Sequence, residues 1–376
     1  MARIAAIGDA HLGRTYLPIT DAATGVNRRE LDFEESFTRA VDAMLAEQPD
    51  VVLWLGDIFD HPRPTYRSFR VASRELRKLR EHGVQLVAIS GNHDTPRLPG
   101  TGSPYSVLAD TFPELHFAAR LQYEAFDLGG LRVHCVPQML TVDAALDALA
   151  AADANRSADR SNLLITHPRL TQLQPRYDDI NEIEVDVGSL KSDFVLLGHY
   201  HVHQKVGGAD GVWYAGAPDT FTFADDPGRP KGFVVLDTSS GELRHVPVPG
   251  QRRLVTLETI DAIGLSPAEV RERVLGRAAE VGEGDVARLF IDGIEPAAYK
   301  LLDLHEVRDV AGAALHLKLE PKFLTPKTTN ALPEMATMGA AWDEFVGRAE
   351  LLGYDKQRIT TLGHEYLAQA VEEAAS

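Results

Sequence analysis

A single cysteine, Cys135, stands in a chain of 376 residues. That excludes an internal disulfide framework, and with it any zinc ribbon or finger built on Cys pairs. The thiol falls inside the apolar run 131–136, where cysteine is a buried packing group rather than a nucleophile. Long hydrophobic runs are missing too. None approaches the ~20 residues needed to span a bilayer, so no membrane association is expected. Basic residues are scarce, 38 Lys and Arg against 55 Asp and Glu, for a net charge of −17. So acidic a chain lacks the basic face of a dedicated nucleic-acid binder, although bound divalent cations or a partner subunit can supply positive surface. Internal repeats and low-complexity segments are absent. With 44% hydrophobic and 25% charged residues, the composition is that of a soluble globular protein of two or three domains. A strand opens at Arg3 and runs straight into a polar island at Asp9, which leaves no place for a cleavable leader; a cytoplasmic location is expected.

Apolar runs bounded by Gly, Pro and Asp predict strands over 3–8, 51–56, 85–89, 131–136, 162–166, 194–198, 211–215, 233–237 and 243–248. Helical spacing over 32–47 puts Phe33, Phe37, Ala40, Val41, Met44 and Leu45 on one stripe. The stretch 66–82 does the same with Phe69, Ala72, Leu76 and Leu79, and Gly83 stops it. The later strands follow one another without helices, so a mixed sheet or sandwich is expected over 1–250. A small α+β module follows over 251–322, with strands at 254–259, 286–293 and 315–319 and helices at 267–279 and 296–304. The prolines between 321 and 333 signal a linker, placed at 323–338. Two helices, 339–352 and 355–374, complete the tail, 339–376, with Gly353 between them. Such a tail buries little by itself and should pack on the body or on a partner.

Five islands of Asp, Asn and His follow apolar runs. They are Asp9-Ala10-His11, Gly56-Asp57-Ile58-Phe59-Asp60, Gly91-Asn92-His93-Asp94, Thr166-His167 and Gly198-His199-Tyr200-His201. Alone, Asp-x-His or Gly-Asp is an ordinary turn. Gly-Asn-His-Asp is less ordinary, and in Gly-His-x-His the alternating imidazoles face the same way. Together, Asp9, His11, Asp57, Asn92, His167, His199 and His201 are more ligands than one ion needs. Two ions roughly 3.5–4 Å apart, sharing a bridging carboxylate, clamp the attacking and leaving oxygens of a displacement at phosphorus. Mixed imidazole, carboxylate and amide donors suit Mn, Fe or Zn better than Ca, and would be unusual for Mg alone. His203 continues the alternation and is taken for a neighbour, not a ligand.

The islands, in this order, resemble the calcineurin-type metallophosphoesterase superfamily. Within it the run Asp57-Ile58-Phe59-Asp60-His61-Pro62-Arg63-Pro64, the following module and the helical tail are similar to the SbcD-type DNA repair nuclease family. That family is the bacterial counterpart of the archaeal and eukaryotic meiotic-recombination nuclease. The resemblance implies an α/β fold: an αββα sandwich of two mixed sheets, a small α+β capping domain that binds DNA, and a C-terminal helical tail. It implies that Asp9, His11, Asp57 and His201 hold a first Mn2+, and that Asp57 bridges to a second held by Asn92, His167 and His199. Mg, Fe or Zn are the possible substitutes. His93 would sit at the scissile phosphate, and Asp94 would orient its ring. Some relatives carry a histidine where this chain has Asp60, which leaves that position without an assigned role. Asn27, Arg28 and Arg63 are candidate DNA contacts. The implied protein is a Mn-dependent DNA nuclease, an exonuclease on double-stranded ends and an endonuclease on single strands or hairpins. It would act in double-strand-break repair and recombination as a homodimer with an SbcC-type, SMC-like coiled-coil ATPase docked on the tail. Two other readings stand beside it: a phosphoesterase of the same superfamily acting on a small molecule or a protein, and a non-catalytic scaffold, which should show eroded ligand positions.

Overall fold

A computed structural model describes residues 2–174, 182–225, 228–324, 335–348 and 355–375. Strands β1 Arg3–Ile7, β2 Val51–Leu55, β3 Gln85–Ile89 and β4 His116–Ala118 run parallel side by side. The first three are almost wholly apolar because both of their faces are covered. A second sheet is built from β5 Glu124–Leu128, β6 Leu131–Val136 and β7 Ser161–Thr166, then, after a short ribbon of β8 Arg169–Leu170 and β9 Glu184–Val185, from β10 Phe194–Leu197, β11 Gln204–Lys205 and β12 Val212–Tyr214. The chain then returns to the first sheet with β13 Gly232–Asp237, antiparallel to β1, and β14 Glu242–Pro247. The sheet orders are β14-β13-β1-β2-β3-β4 and β11-β12-β10-β7-β6-β5. Both are mixed, as expected.

The inner faces meet in one core. Ile4, Ala6, Leu53, Leu55, Val87 and Ile89 of the first sheet pack with Val133, Cys135, Leu163, Ile165 and Leu196 of the second. Burial pushes the Cys135 thiol well up, in keeping with a packing role. Helices α1 Arg28–Ala46, α2 Tyr66–Glu81 and α3 Pro104–Thr111 cover the outside of the first sheet through Phe37, Val41, Met44, Leu76, Leu79 and Leu108. Helix α4 Val142–Ala154 covers the second through Ala145, Ala148 and Leu149. Alanine-rich sequence hides the apolar stripe of α4 from periodicity. Helix α1 starts four residues before the expected 32, because the Asn27 side chain accepts from Arg29 N and Glu30 N and caps it.

By its internal contacts the chain divides into two compact units, Met1–Glu258 with Glu272–Phe290 and Asp303–Glu320, and Thr259–Arg271 with Ile291–Leu302 and Pro321–Ser376. The remaining strands are β15 Leu254–Thr256, β16 Ile260–Asp261, β17 Val286–Ile294 and β18 His316–Phe323. In the first unit β15 lies parallel to the start of β17, Leu254 opposite Val286. In the second β16 lies parallel to its end, Ile260 opposite Ile291. Strand β18 continues through Pro321, the first of the prolines read as a linker signal, to Phe323, where the linker was placed; a sheet edge tolerates proline, which donates no ladder hydrogen bond.

Helix α5 is Pro267–Ala278. The helix expected over 296–304 is two, α6 Pro296–Lys300 and α7 Leu304–Ala311. Asp303 separates them by capping His305 N and Glu306 N. Helices α8 Met335–Arg348 and α9 Lys356–Ala375 pack together; Trp342 Nε1 donates to Thr360 O at 3.2 Å, and His364 pairs with Asp343 at 2.7 Å. Helix α8 thus begins inside the expected linker. Most of that linker, and the break at Gly353, lie outside the described residues. Among the described residues no helix is long and apolar enough to cross a membrane.

Candidate metal centre

All five islands meet at one end of the sandwich. Asp9 and His11 follow β1, Asp57 and Asp60 follow β2, and Asn92 to Asp94 follow β3; His167 follows β7, and His199 and His201 follow β10. Both sheets therefore contribute. Asp9, His11, Asp57 and His199 adopt left-handed backbone angles, φ 55°, 45°, 51° and 92°. Non-glycine residues persist there only where surrounding structure holds them. That structure is visible as cross-loop bonds, Asp9 N to Gly56 O at 3.0 Å, His11 N to Asp57 O at 2.9 Å and His199 N to Asp9 Oδ1 at 2.9 Å.

The motif glycines are there because the loops touch. A Cβ on Gly56 would stand 2.4 Å from His167 Nδ1, and one on Gly91 would stand 2.2 Å from Asp57 Oδ1 and 2.7 Å from the Asp57 backbone nitrogen. Backbone cannot step aside as a side-chain tip can. Gly91→Ala is therefore expected to cost at least the ~1–3 kcal/mol typical of overpacking. Urea unfolding of the metal-free protein measures it; an unchanged midpoint would refute the close-approach argument.

Six of the seven expected ligands are Asp9, His11, Asp57, His167, His199 and His201, all buried, and the seventh, Asn92, is buried beside them. Ligand atoms of Asp9, His11 and His201 fall within 4.8 Å of one another, as do those of Asp9, Asp57 and His167, and those of His11, Asp57 and His93. Each imidazole is anchored by its far nitrogen. His11 Nδ1 meets Asp60 Oδ1 at 3.0 Å, His201 Nδ1 meets Asp225 Oδ1 at 2.5 Å, and His167 Nδ1 donates to Leu55 O at 2.6 Å. Such partners fix ring orientation and tautomer and leave the other nitrogen's lone pair for a metal. His199 Nε2 meets Glu182 Oε1 at 2.7 Å, while its Nδ1 lies 3.2 Å from Asn92 Oδ1.

The electrostatics call for positive charge at the centre. Burial pushes Asp9 up, and the neighbouring Asp57 adds to it. Burial would raise Asp57 as well, but the His167, His93 and His11 rings outweigh it and hold Asp57 well below the usual carboxylate range. Burial pulls His167 down, yet Asp57 and Asp9 carry it up to about 9. Burial lowers His11 to about 4 and lowers His201 too, so both rings are neutral at pH 7. Asp225 is held low against its burial by His201, so that pair is a carboxylate accepting from a neutral Nδ1–H. The Nε2 atoms of His11 and His201 then face each other at 3.2 Å, two lone pairs that need a proton or a cation between them. Asp9 Oδ2 is buried without a hydrogen bond, and His167 Nε2, buried too, has only the Asp57 carboxylate beside it, Oδ2 at 3.1 Å. Buried polar atoms that lack full hydrogen bonding and lie this close together fit a borderline divalent cation, as does the mixed imidazole and carboxylate donor set.

Two expectations change. Asp94 does not turn toward the His93 ring. Its carboxylate accepts from Gly91 N at 2.7 Å, Ile58 N at 3.0 Å, Phe59 N at 3.4 Å and the Tyr105 hydroxyl at 2.8 Å, and so ties the β3 loop to the β2 loop. Burial, with Asp57 nearby, pushes it up to about 7. Asp60 is a carboxylate that does face His93, 3.8 Å from Nδ1, and its carbonyl oxygen is 3.3 Å from the same nitrogen. Asp60 also pairs with Arg14 at 3.1 Å, so its charge is offset by Arg14 and hydrogen-bonded by His11 rather than aimed bare at a phosphate. The DNA-contact candidates also separate. The Asn27 carboxamide is spent on the α1 cap and on Leu17 O at 2.7 Å. Arg28 is paired with Asp32 at 2.9 Å and lies near Asp21 and Glu35. Arg63 is exposed, with no ion pair among the described residues.

Sequence reasoning missed Asp225, Glu182 and Phe221, whose ring lies 5.1 Å from both His11 and His201. None belongs to an island, and a lone acid in a loop carries no local signal. Asp60 had one, since it shares an island with Asp57.

An αββα sandwich with a multi-ligand centre on its strand ends defines a class, and the chain belongs to it: the calcineurin-like phosphoesterase family, matched over residues 2–203. Among curated proteins it is similar to the DNA double-strand break repair protein Mre11 of Saccharolobus solfataricus, 30% identical over 247 residues, 64% of this chain and 61% of that one. The protein of the same name from Methanopyrus kandleri is 29% identical over 279 residues, 68% of this chain and 59% of that one. The chain thus spans roughly three fifths of the length of these relatives. Among solved structures, a dimetal phosphatase from Danio rerio overlaps with a TM-score of 0.37 at 13% identity, covering 62% of this chain and 91% of that one.

Proposed function

We propose that this chain is a Mn-dependent phosphodiester hydrolase acting on DNA. The observation that carries the metal chemistry is the convergence of buried polar atoms, Asp9 Oδ2 and His167 Nε2, beside the facing His11 and His201 nitrogens. Asp9, His11, Asp57 and His201 would hold a first Mn2+, and Asp57, Asn92, His167 and His199 a second. When bound, such a pair polarises phosphoryl oxygens and makes water a nucleophile near neutral pH. The protein's own work is orientation: Asp60, Asp225 and the Leu55 carbonyl fix three imidazoles. His93 is one-third exposed at the mouth, with its backbone N–H donated to Asp57 Oδ1 at 2.8 Å. There it would stabilise charge on the reacting phosphate or protonate the leaving oxygen.

The DNA substrate rests on the named relatives and on the segments beyond the phosphoesterase region. The domain division at 1–250, 251–322, 323–338 and 339–376 belongs to this proposal, with 251–322 as the capping module. So do homodimerisation, exonuclease and endonuclease action in break repair, and a cytoplasmic, nucleoid-associated location. Exposed Phe345, Leu362 and Tyr366 on α8 and α9 favour a helical partner of the SbcC-type ATPase kind. Arg63 remains a DNA-contact candidate. The test is Mn-dependent degradation of linear duplex DNA by the purified chain, with and without that ATPase. Cleavage that disappears with chelator is expected. Rapid hydrolysis of a small phosphodiester, with DNA untouched in both preparations, would move the reading to a small-molecule phosphoesterase. Failure to take up any metal would leave a scaffold.

A further inference from the structure

Residues 221–225 bear on the centre at both of their ends. Phe221 is buried against the edges of His11 and His201. Asp225 anchors His201 through one oxygen and closes the segment on itself through the other, which accepts from Thr222 N at 2.7 Å and from the Thr222 hydroxyl at 3.1 Å. Between them stands Phe223, and the Arg288 guanidinium of β17 lies over its ring, 4.4 Å from the centroid. Phe290 flanks the same guanidinium at 5.0 Å, and Arg288 Nε donates to Thr256 Oγ1 at 3.0 Å.

In a chain with 55 acidic side chains, the partners of this arginine among the described residues are two rings and a hydroxyl, not a carboxylate. It is held between two ring faces and a hydroxyl, a geometry that fixes a plane and not merely a charge. We infer that Arg288 is a positioning residue for the first-ion site: by gripping Phe223 it holds segment 221–225 so that Asp225 and Phe221 keep the His201 and His11 nitrogens on the centre. This rests on the reading of His11 and His201 as metal ligands. It also makes β17, a strand of the small sheet, part of the machinery that sets metal affinity.

The test is calorimetric titration of Mn2+ into the metal-free full chain, with electron paramagnetic resonance of the bound ions. Arg288→Ala is expected to weaken one of the two sites ~10-fold, the low end of the range for losing an outer-shell support, and to leave the other unchanged. Arg288→Lys keeps the charge but not the plane and should weaken the same site. Phe223→Tyr keeps the ring and should bind as the parent does. If Arg288→Ala does not fold, as judged by circular dichroism, Phe223→Leu removes the grip from the other side and should show the same selective loss. Two sites of unaltered affinity in the folded variant would overturn the role given to Arg288 alone. A parent chain that takes up no Mn2+ would overturn the ligand reading and this inference with it.

Discussion

Asp57→Ala is expected to leave the protein with less than one tenth of its Mn and no DNA cleavage above background. The reason is geometric. Asp57 Oδ2 lies 3.1 Å from His167 Nε2 and 3.9 Å from His11 Nε2, so this carboxylate reaches a member of each proposed ligand set. Its other oxygen receives His93 N at 2.8 Å. Replacing it removes the shared ligand of both proposed ions and also leaves that half-buried N–H without its carboxylate, a loss of about 1 kcal/mol. Loss of one ligand from a set of its own would empty one site; loss of a bridge empties two. Metal analysis of the dialysed variant checks this, with circular dichroism to confirm that the sandwich survives. Retention of both ions would show that Asp57 does not bridge them, and retention of one would assign Asp57 to the other.

His93→Gln should do the opposite: keep the metal and lose the chemistry. Its ring lies edge-on to His11 with centroids 4.6 Å apart, but unlike the ligand histidines it is one-third exposed. Its backbone is held by Asp57 Oδ1, so substitution of the side chain leaves the loop where it is. A positioned acid or base contributes typically 10²–10⁴-fold. The turnover rate should therefore fall by that much at saturating DNA, with Mn content unchanged. There is a real alternative, because His93 also falls within ligand reach of His11 and Asp57. If Mn and activity vanish together, His93 is a ligand and not the group that meets the phosphate.

Strand positions were readable because burial on both faces produces uninterrupted Val, Ile, Leu and Ala, as in β1 to β3. The islands were readable because each begins where such a run stops. What the side chains of an island touch was not, because this is decided by loops arriving from other strands. Asp94 is the clear case. It follows His93 in sequence, which suggested a pair, but the β3 turn rotates its carboxylate onto the backbone of Ile58 and Phe59. Asp225 is the converse, 24 residues beyond His201 and bonded to it. Helix α4 went unseen because alanine on every face erases the apolar stripe, and β18 went unseen past residue 319 because Pro321 reads as a breaker unless the strand is known to lie at an edge.

The proposed ligands come from two layers: β1, β2 and β3 belong to one sheet, β7 and β10 to the other. A cation shared among them is a clasp across the sandwich as well as a reagent. Its binding energy and the packing of Leu53 or Ile89 against Leu163 and Ile165 are then drawn on the same coordinate, the separation of the sheets. Occupancy would hold the layers in register, and a substitution deep between them, touching no proposed ligand, is expected to be felt as a weaker grip on the metal.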